Sequence, residues 1–257
     1  MMSRIKTLFD NKKGNVLNVY CTAGFPELYS TLEVMQALQE NGADLIELGM
    51  PYSDPLADGE VIQKSSSRAL HNGMNLQVLF SQLKSMRPQI TVPVILMGYM
   101  NPVLQYGFEK FCTDAAAAGV DGLILPDLPE YEFEKEYGKI IHSHGLDFIF
   151  LVTPETTPDR VVKLDSLSSG FLYAVSSSST TGSSKNMTDV SGFLQRLNSY
   201  GLKNPVLVGF GIKDSETFRS ASKYANGAII GTAYIRAIEG AHDIREATKQ
   251  FLSSVLQ

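Results

Sequence analysis

Only two cysteines, Cys21 and Cys112, occur in 257 residues, and neither has a ligand-like neighbour. That excludes a disulfide framework or a cysteine-built zinc site, and it fits a reducing compartment. Histidine is scarce too. His71, His142, His144 and His242 fall on helical stretches or their ends, without the spacing that a metal site or a catalytic triad needs. No apolar run reaches the roughly 18 residues of a membrane helix. The opening MMSRIKTLFDNKKGN is too polar for a secretory segment, so a cytoplasmic, unanchored protein is expected. A net charge of −5 argues against a general nucleic-acid or anionic-membrane surface. No nucleotide-binding glycine motif and no GxSxG elbow is present, so the serines at 176–179 read as a polar loop. Lys64, Lys185 and Lys213 could approach an anion, but no lysine sits centrally on a strand as Schiff-base chemistry would require.

What is present is a regular alternation. Apolar residues make up 44% of the chain and charged ones 19%, enough for one large core spanning residues 1–257. Short runs rich in Val, Ile, Leu and Phe lie at 16–22, 45–49, 94–99, 122–126, 148–153, 171–176, 206–210 and 228–231. Being apolar throughout, they read as strands covered on both faces. Helical patterns separate them, at 31–41, 61–70, 75–86, 108–118, 131–144, 158–167, 190–200, 215–224 and 244–255. Strand–helix alternation implies a parallel sheet with right-handed crossovers. Eight such units point to a (β/α)₈ barrel (a TIM barrel), with a short N-terminal helix and extra helices in its βα loops. An open doubly wound sheet is the competitor, which the count alone does not exclude. Between the second and third runs the chain is long, and residues 50–60 form a loop at a strand's C-terminal end. In a barrel that end carries the chemistry.

Two carboxylates stand out near this loop. Glu47 interrupts the apolar LIELG, where an unpaired buried charge would be costly. It either points outward or into a salt bridge, or it points into the barrel mouth with its pKa raised for proton transfer. Asp54 and Asp58 have an ordinary reading as turn and helix-capping residues beside Pro51 and Pro55. Glu47 and Asp58 on one βα unit together point to a two-carboxylate site. Glycine-rich junctions close the last three strands: Thr181-Gly182-Ser183, Gly209-Phe210-Gly211 and Gly231-Thr232-Ala233. Singly these are turns; at consecutive strand ends they suggest a phosphate cradle.

These strings resemble the tryptophan synthase α subunit family. LIELGMPYSDPLADG followed by VIQKSSSRAL resembles its signature, and NVYCTAGFP, ILMGYMNPVLQYG, GVDGLILPDLP, PVLVGFGI and GAIIGTA resemble its strand ends over nearly the whole chain. The resemblance implies cleavage of indole-3-glycerol phosphate into indole and glyceraldehyde 3-phosphate. It implies Glu47 as proton shuttle and Asp58 as partner of the indole N–H. Tyr173 would lie beside Glu47, Tyr20 and Tyr99 would line the indole end, and Gly182, Gly211, Gly231 and Thr232 would hold phosphate. Thr181 would meet Asp58 when the loop after the sixth strand closes. Here that loop reads SSSSTTG, with Ser177 and Ser179 where the family often has Arg and Gly.

The resemblance also implies a β-subunit partner in an α₂β₂ complex. Residues 50–58 and 101–107, with Pro51, Asp54, Pro55 and Asn101, would form the docking surface. This chain would need neither cofactor nor metal; pyridoxal phosphate would belong to the partner. A free-standing indole-releasing lyase, an idle activating subunit and another phosphate-binding barrel are the alternatives. The retained carboxylates argue against the idle subunit, and the signature at 45–59 against another barrel.

Overall fold

The computed structural model describes residues 3–175, 187–209 and 211–257. Its sheet is parallel throughout, beginning with β1 (Val16–Thr22), β2 (Leu45–Gly49), β3 (Val94–Met97) and β4 (Gly122–Ile124). Next come β5, in two halves (Asp147–Phe148 and Leu151–Val152), β6 (Leu172–Val175), β7 (Val206–Gly209) and β8 (Gly227–Ile230). Hydrogen bonds link the first half of β5 to β4, and the order continues through β3, β2, β1, β8, β7 and β6 to the second half of β5. The sheet therefore closes on one strand, and the open doubly wound alternative falls.

The unbroken fifth run expected at 148–153 is corrected to these halves. Barrel strands are staggered along their tilt, so a short strand meets one neighbour low and the other high. Ile149 N–H bonds the Leu123 carbonyl on one side, while the Phe150 carbonyl accepts from Tyr173 N–H on the other, both at 3.0 Å. The helix expected at 131–144 is three successive pieces, Glu130–Glu132, a π-helical turn Phe133–Tyr137, and Gly138–Ser143. Phe133 buries its ring there against Phe148 and Phe150, at centroid distances of 4.7 and 5.0 Å. The stretch 101–107, expected as loop, lies largely in a helix, Met100–Tyr106. Asp127 accepts from the first N–H of that helix through both carboxylate oxygens, at 3.0 Å each. Amphipathic spacing served better at Leu76–Leu83, which buries Leu79, Phe80 and Leu83 as expected.

An apolar ring fills the barrel's lower interior. Val16, Leu45, Ile95, Ile124, Ile149, Phe171, Leu207 and Ile229 form one buried cluster, drawing one residue from each strand or, for Ile149 and Phe171, from between the halves of β5 and from the edge of β6. The helix Arg4–Asn11 plugs this end by adding Ile5 and Phe9 to the same cluster. Its polar side is fastened by Arg4 to Asp121 at 2.9 Å and by Ser3 Oγ to the Asp147 carboxylate. Arg87 meets the other oxygen of Asp121 at 2.8 Å, so the buried charge is shared by two guanidiniums. No helix among the described residues is long and apolar enough to cross a membrane.

Candidate active site

Side chains alternate along a strand, so the residue two beyond each ring member also faces the interior. Above Leu45, Phe171, Ile95 and Ile149 this places Glu47, Tyr173, Met97 and Leu151. Above Val16 come Asn18 and then Tyr20, while Leu207 and Ile229 are followed by Gly209 and Gly231. The polar layer is thus the direct upward continuation of the apolar ring. Two glycines make room in it. A Cβ on Gly49 would lie 2.1 Å from the Tyr20 hydroxyl, and one on Gly209 would lie 2.5 Å from the Tyr173 hydroxyl.

Glu47 is 1% exposed and makes no ion pair among the described residues, which removes its outward, salt-bridged reading. Burial, with Asp58 adding to it, pushes its carboxyl up to about 8, against a hydrogen bond from Asn18 that favours the charged form. Asn18 Nδ2 donates to Glu47 Oε2 at 2.9 Å. Asp58 is lifted by burial to about 6, offset in part by a hydrogen bond from Tyr99. The two acids are therefore poised on opposite sides of neutrality. Burial, reinforced by the two carboxylates, also pushes the Tyr20 and Tyr173 phenols well above their usual range, so both hydroxyls stay protonated.

Asp58 is not a helix cap: Gly59 occupies that position before Glu60–His71, and no side chain caps the helix. The loop carrying Asp58 is instead pinned by Tyr99, whose hydroxyl accepts from Ala57 N–H at 3.0 Å. Tyr52 packs on Tyr99 at 5.4 Å, and its hydroxyl accepts from Asn101 Nδ2 at 3.0 Å. Pro51 and Pro55 are half-buried, while Asp54 and Asn101 are exposed on the same side. Gly211 and Gly231 follow β7 and β8, which pair through Val208–Ala228 and Gly209–Ile229. Gly231 precedes the helix Thr232–Ile238, so Thr232 opens it with free N–H groups nearby. Ser177, Ser179, Thr181 and Gly182 lie outside the described residues.

The structure adds Asn18, Tyr52, Asp127 and Gly49 to the residues singled out from sequence, and it gives Gly209 a further part as the position that makes room for Tyr173. A cavity of about 700 Å³ lies at the barrel's other end, lined by Phe9, Asp147, Lys203 and Asn226 among others, and touches none of these groups. Among the described residues no cluster of His, Cys, Asp or Glu could hold a metal ion.

The family model described as tryptophan synthase alpha chain matches residues 6–256. The tryptophan synthase alpha chain of Parabacteroides distasonis is 44% identical over 257 residues, covering all of both chains. That of Flavobacterium johnsoniae is 50% identical over 237 residues, covering 91% of this chain and 93% of the relative. Among solved structures, the alpha subunit from Legionella pneumophila superimposes with a TM-score of 0.91 at 35% identity, covering 99% and 97% of the two chains. A chain of tryptophan synthase from M. tuberculosis, in an aminoacrylate-bound form, gives 0.86 at 32%, covering 99% and 100%. With its signature strand, closed barrel and full-length relatives in agreement, this chain belongs to the tryptophan synthase alpha chain family.

Proposed function

We propose that residues 1–257 act as one catalytic domain that cleaves indole-3-glycerol phosphate to indole and glyceraldehyde 3-phosphate, with Glu47 carrying the proton. The observation that carries the assignment is a buried carboxyl in the barrel mouth, neutral near pH 7 and coupled to a second carboxylate that is ionised there. The reaction needs that pair of states. Glu47 as the acid gives its proton to indole C3, and positive charge spreads to the ring nitrogen. The Asp58 carboxylate accepts the indole N–H and stabilises that charge. Glu47, now a carboxylate, removes the proton of the glycerol hydroxyl on the carbon bonded to the ring. That carbon becomes the aldehyde, and the electrons of the breaking C–C bond return to the ring. The proton has moved from oxygen to carbon, and Glu47 ends as it began.

The remaining residues orient the substrate. Gly211, Gly231 and Thr232, with Gly182 by sequence, hold the phosphate on backbone N–H groups and a helix start. Tyr20 and Tyr99 line the indole end and Tyr173 stands beside Glu47, while Thr181, outside the described residues, is assigned by sequence alone to contact Asp58. The partner is a β subunit in an α₂β₂ complex in the cytoplasm, docking on Pro51, Asp54, Pro55 and Asn101. Pyridoxal phosphate belongs to that partner, and this chain works without a cofactor.

The deciding experiment is a cleavage assay on the purified chain and its Glu47→Gln variant. Turnover should drop by about three orders of magnitude, within the range of general acid–base catalysis, while substrate still binds. Near-normal turnover with normal binding would remove Glu47 from the reaction.

A further inference from the structure

Asn18 stands in the barrel interior, fully buried, on the strand beside Glu47. Its Nδ2 bonds Glu47 Oε2 at 2.9 Å, while among the described residues its Oδ1 has no hydrogen-bond partner. A buried carbonyl oxygen left without a donor carries an uncompensated desolvation cost. The site holds an amide half-used.

Glu47 alternates between two forms with opposite demands. A carboxylate only accepts hydrogen bonds, and a carboxylic acid also donates one. A side-chain amide has a donor at one end and an acceptor at the other, and its terminal torsion is soft and roughly two-fold. Since Oδ1 is held by nothing, a half-turn of Asn18 exchanges one bond to Glu47 for another. Among the described residues, the other titratable groups that act on Glu47 or feel its charge are Asp58, Tyr20, Tyr173 and, from the opposite face of its strand, Cys21, and none is a cation. Burial keeps the two phenols and the thiol protonated, and Asp58 repels the charged form. Among the described residues the amide makes the hydrogen bond to the Glu47 carboxylate, and with a donor at one end and an acceptor at the other it is able to serve the acid as well.

We propose that Asn18 is a positioning residue that turns its amide over as Glu47 loses and regains its proton, donating through Nδ2 to the carboxylate and accepting at Oδ1 from the acid. This rests on Glu47 being the proton carrier, and it explains how one buried carboxyl is made comfortable in both states of the cycle.

The test uses the full chain and its Asn18→Leu and Asn18→Ala variants, the smaller one guarding against a misfolded leucine. Two readouts follow Glu47: the alkaline limb of kcat, and the infrared carbonyl band of a buried carboxylic acid, assigned by its absence in Glu47→Gln. Both midpoints should rise by about one pH unit, the tenfold by which a charge-assisted hydrogen bond to the carboxylate outweighs the neutral one from the acid. At pH 7 kcat should fall about tenfold, because Glu47 releases its proton less readily, with KM within about twofold. In the wild-type chain the ¹³Cγ resonance of Asn18 should move with the same midpoint, downfield as Glu47 takes up its proton. A folded variant whose infrared midpoint stays at the wild-type value overturns the proposal while leaving an inactive Glu47→Gln in place. A ¹³Cγ resonance blind to Glu47 overturns the half-turn. Full turnover in Glu47→Gln overturns the proton-carrier reading and this proposal with it.

Discussion

A carboxyl that passes protons at neutral pH must be neither a firm acid nor a permanent anion, and opposing influences on Glu47 produce that balance. Burial and the charge of Asp58 hold the proton on, while the Asn18 amide helps it leave. If cleavage needs Glu47 protonated and Asp58 ionised, kcat should rise through about 6 and fall through about 8. Asp58→Asn removes a negative charge that raises Glu47, so in that variant the alkaline limb of the residual activity should move to lower pH. A limb that moved upward would contradict the coupling. Stability has its own signature. A carboxyl raised from 4.5 to about 8 keeps its proton in the folded state where the unfolded chain has already released it. Its contribution is full below 4.5 and is lost as pH rises through about 8. Glu47→Gln cannot ionise, so its Tm gain over wild type should be a few degrees larger at pH 9 than at pH 5, read by calorimetry. Glu47 was legible in the sequence because a charge inside LIELG needs a reason. Asn18 breaks the run VLNVY in the same way, but an uncharged amide does not announce its partner, and only the register with β2 supplies it. Asp58 read locally as a cap. That failed because Gly59 takes the position, freeing the carboxylate for the barrel mouth.

At the scale of elements, eight strand positions and most helices followed from apolar runs and their spacing, since strands covered on both faces carry no polar alternation. The parts not legible depend on contacts between distant segments. β5 divides because its neighbours are staggered, and Met100–Tyr106 is helical because Asp127, on the next strand's loop, caps it. The helix Arg4–Asn11 is short and would be marginal alone. It persists because Ile5 is fully buried and Phe9 meets Phe171 at 6.1 Å. Ile5→Ala should therefore cost roughly 2–5 kcal/mol, a loss of about 5–15 °C in Tm for a chain of this size. Its kcat at 25 °C should stay within about twofold, since one layer of apolar side chains separates the plug from Glu47. A comparable fall in kcat without a loss of Tm would mean that the plug acts on the chemistry rather than on the barrel. Gly209→Ala should instead affect both. Its new methyl meets the Tyr173 hydroxyl in the polar layer, costing about 1–3 kcal/mol, and it should lower kcat as well as Tm in parallel assays.

The whole molecule is a barrel with one end sealed and the other equipped, and the equipped end is also where it offers a surface. Leu56 is 88% exposed, two residues before Asp58, on a loop whose Ala57 N–H is held by Tyr99. Tyr52 on the same loop stacks on Tyr99 and is bonded by Asn101 from the next βα connection. An apolar side chain standing free on a loop that is otherwise stitched down is suited to be buried by a partner. Leu56 adjoins Ala57, whose N–H is held by Tyr99, and stands two residues from Asp58, so a partner seated on Leu56 would contact the segment that carries the second carboxylate. Leu56 itself stands in solvent and belongs to neither buried cluster. Leu56→Asp should therefore leave cleavage by the isolated chain unchanged. It should weaken association with the β subunit by at least about tenfold, the effect of losing one buried apolar anchor, and with it any change in cleavage rate measured on mixing the two chains. Titration calorimetry of the two chains, with the cleavage assay run alongside, separates these effects. Wild-type affinity in Leu56→Asp would move the docking surface away from this loop, and impaired cleavage by the isolated variant would mean that Leu56 supports Asp58 without any partner at all.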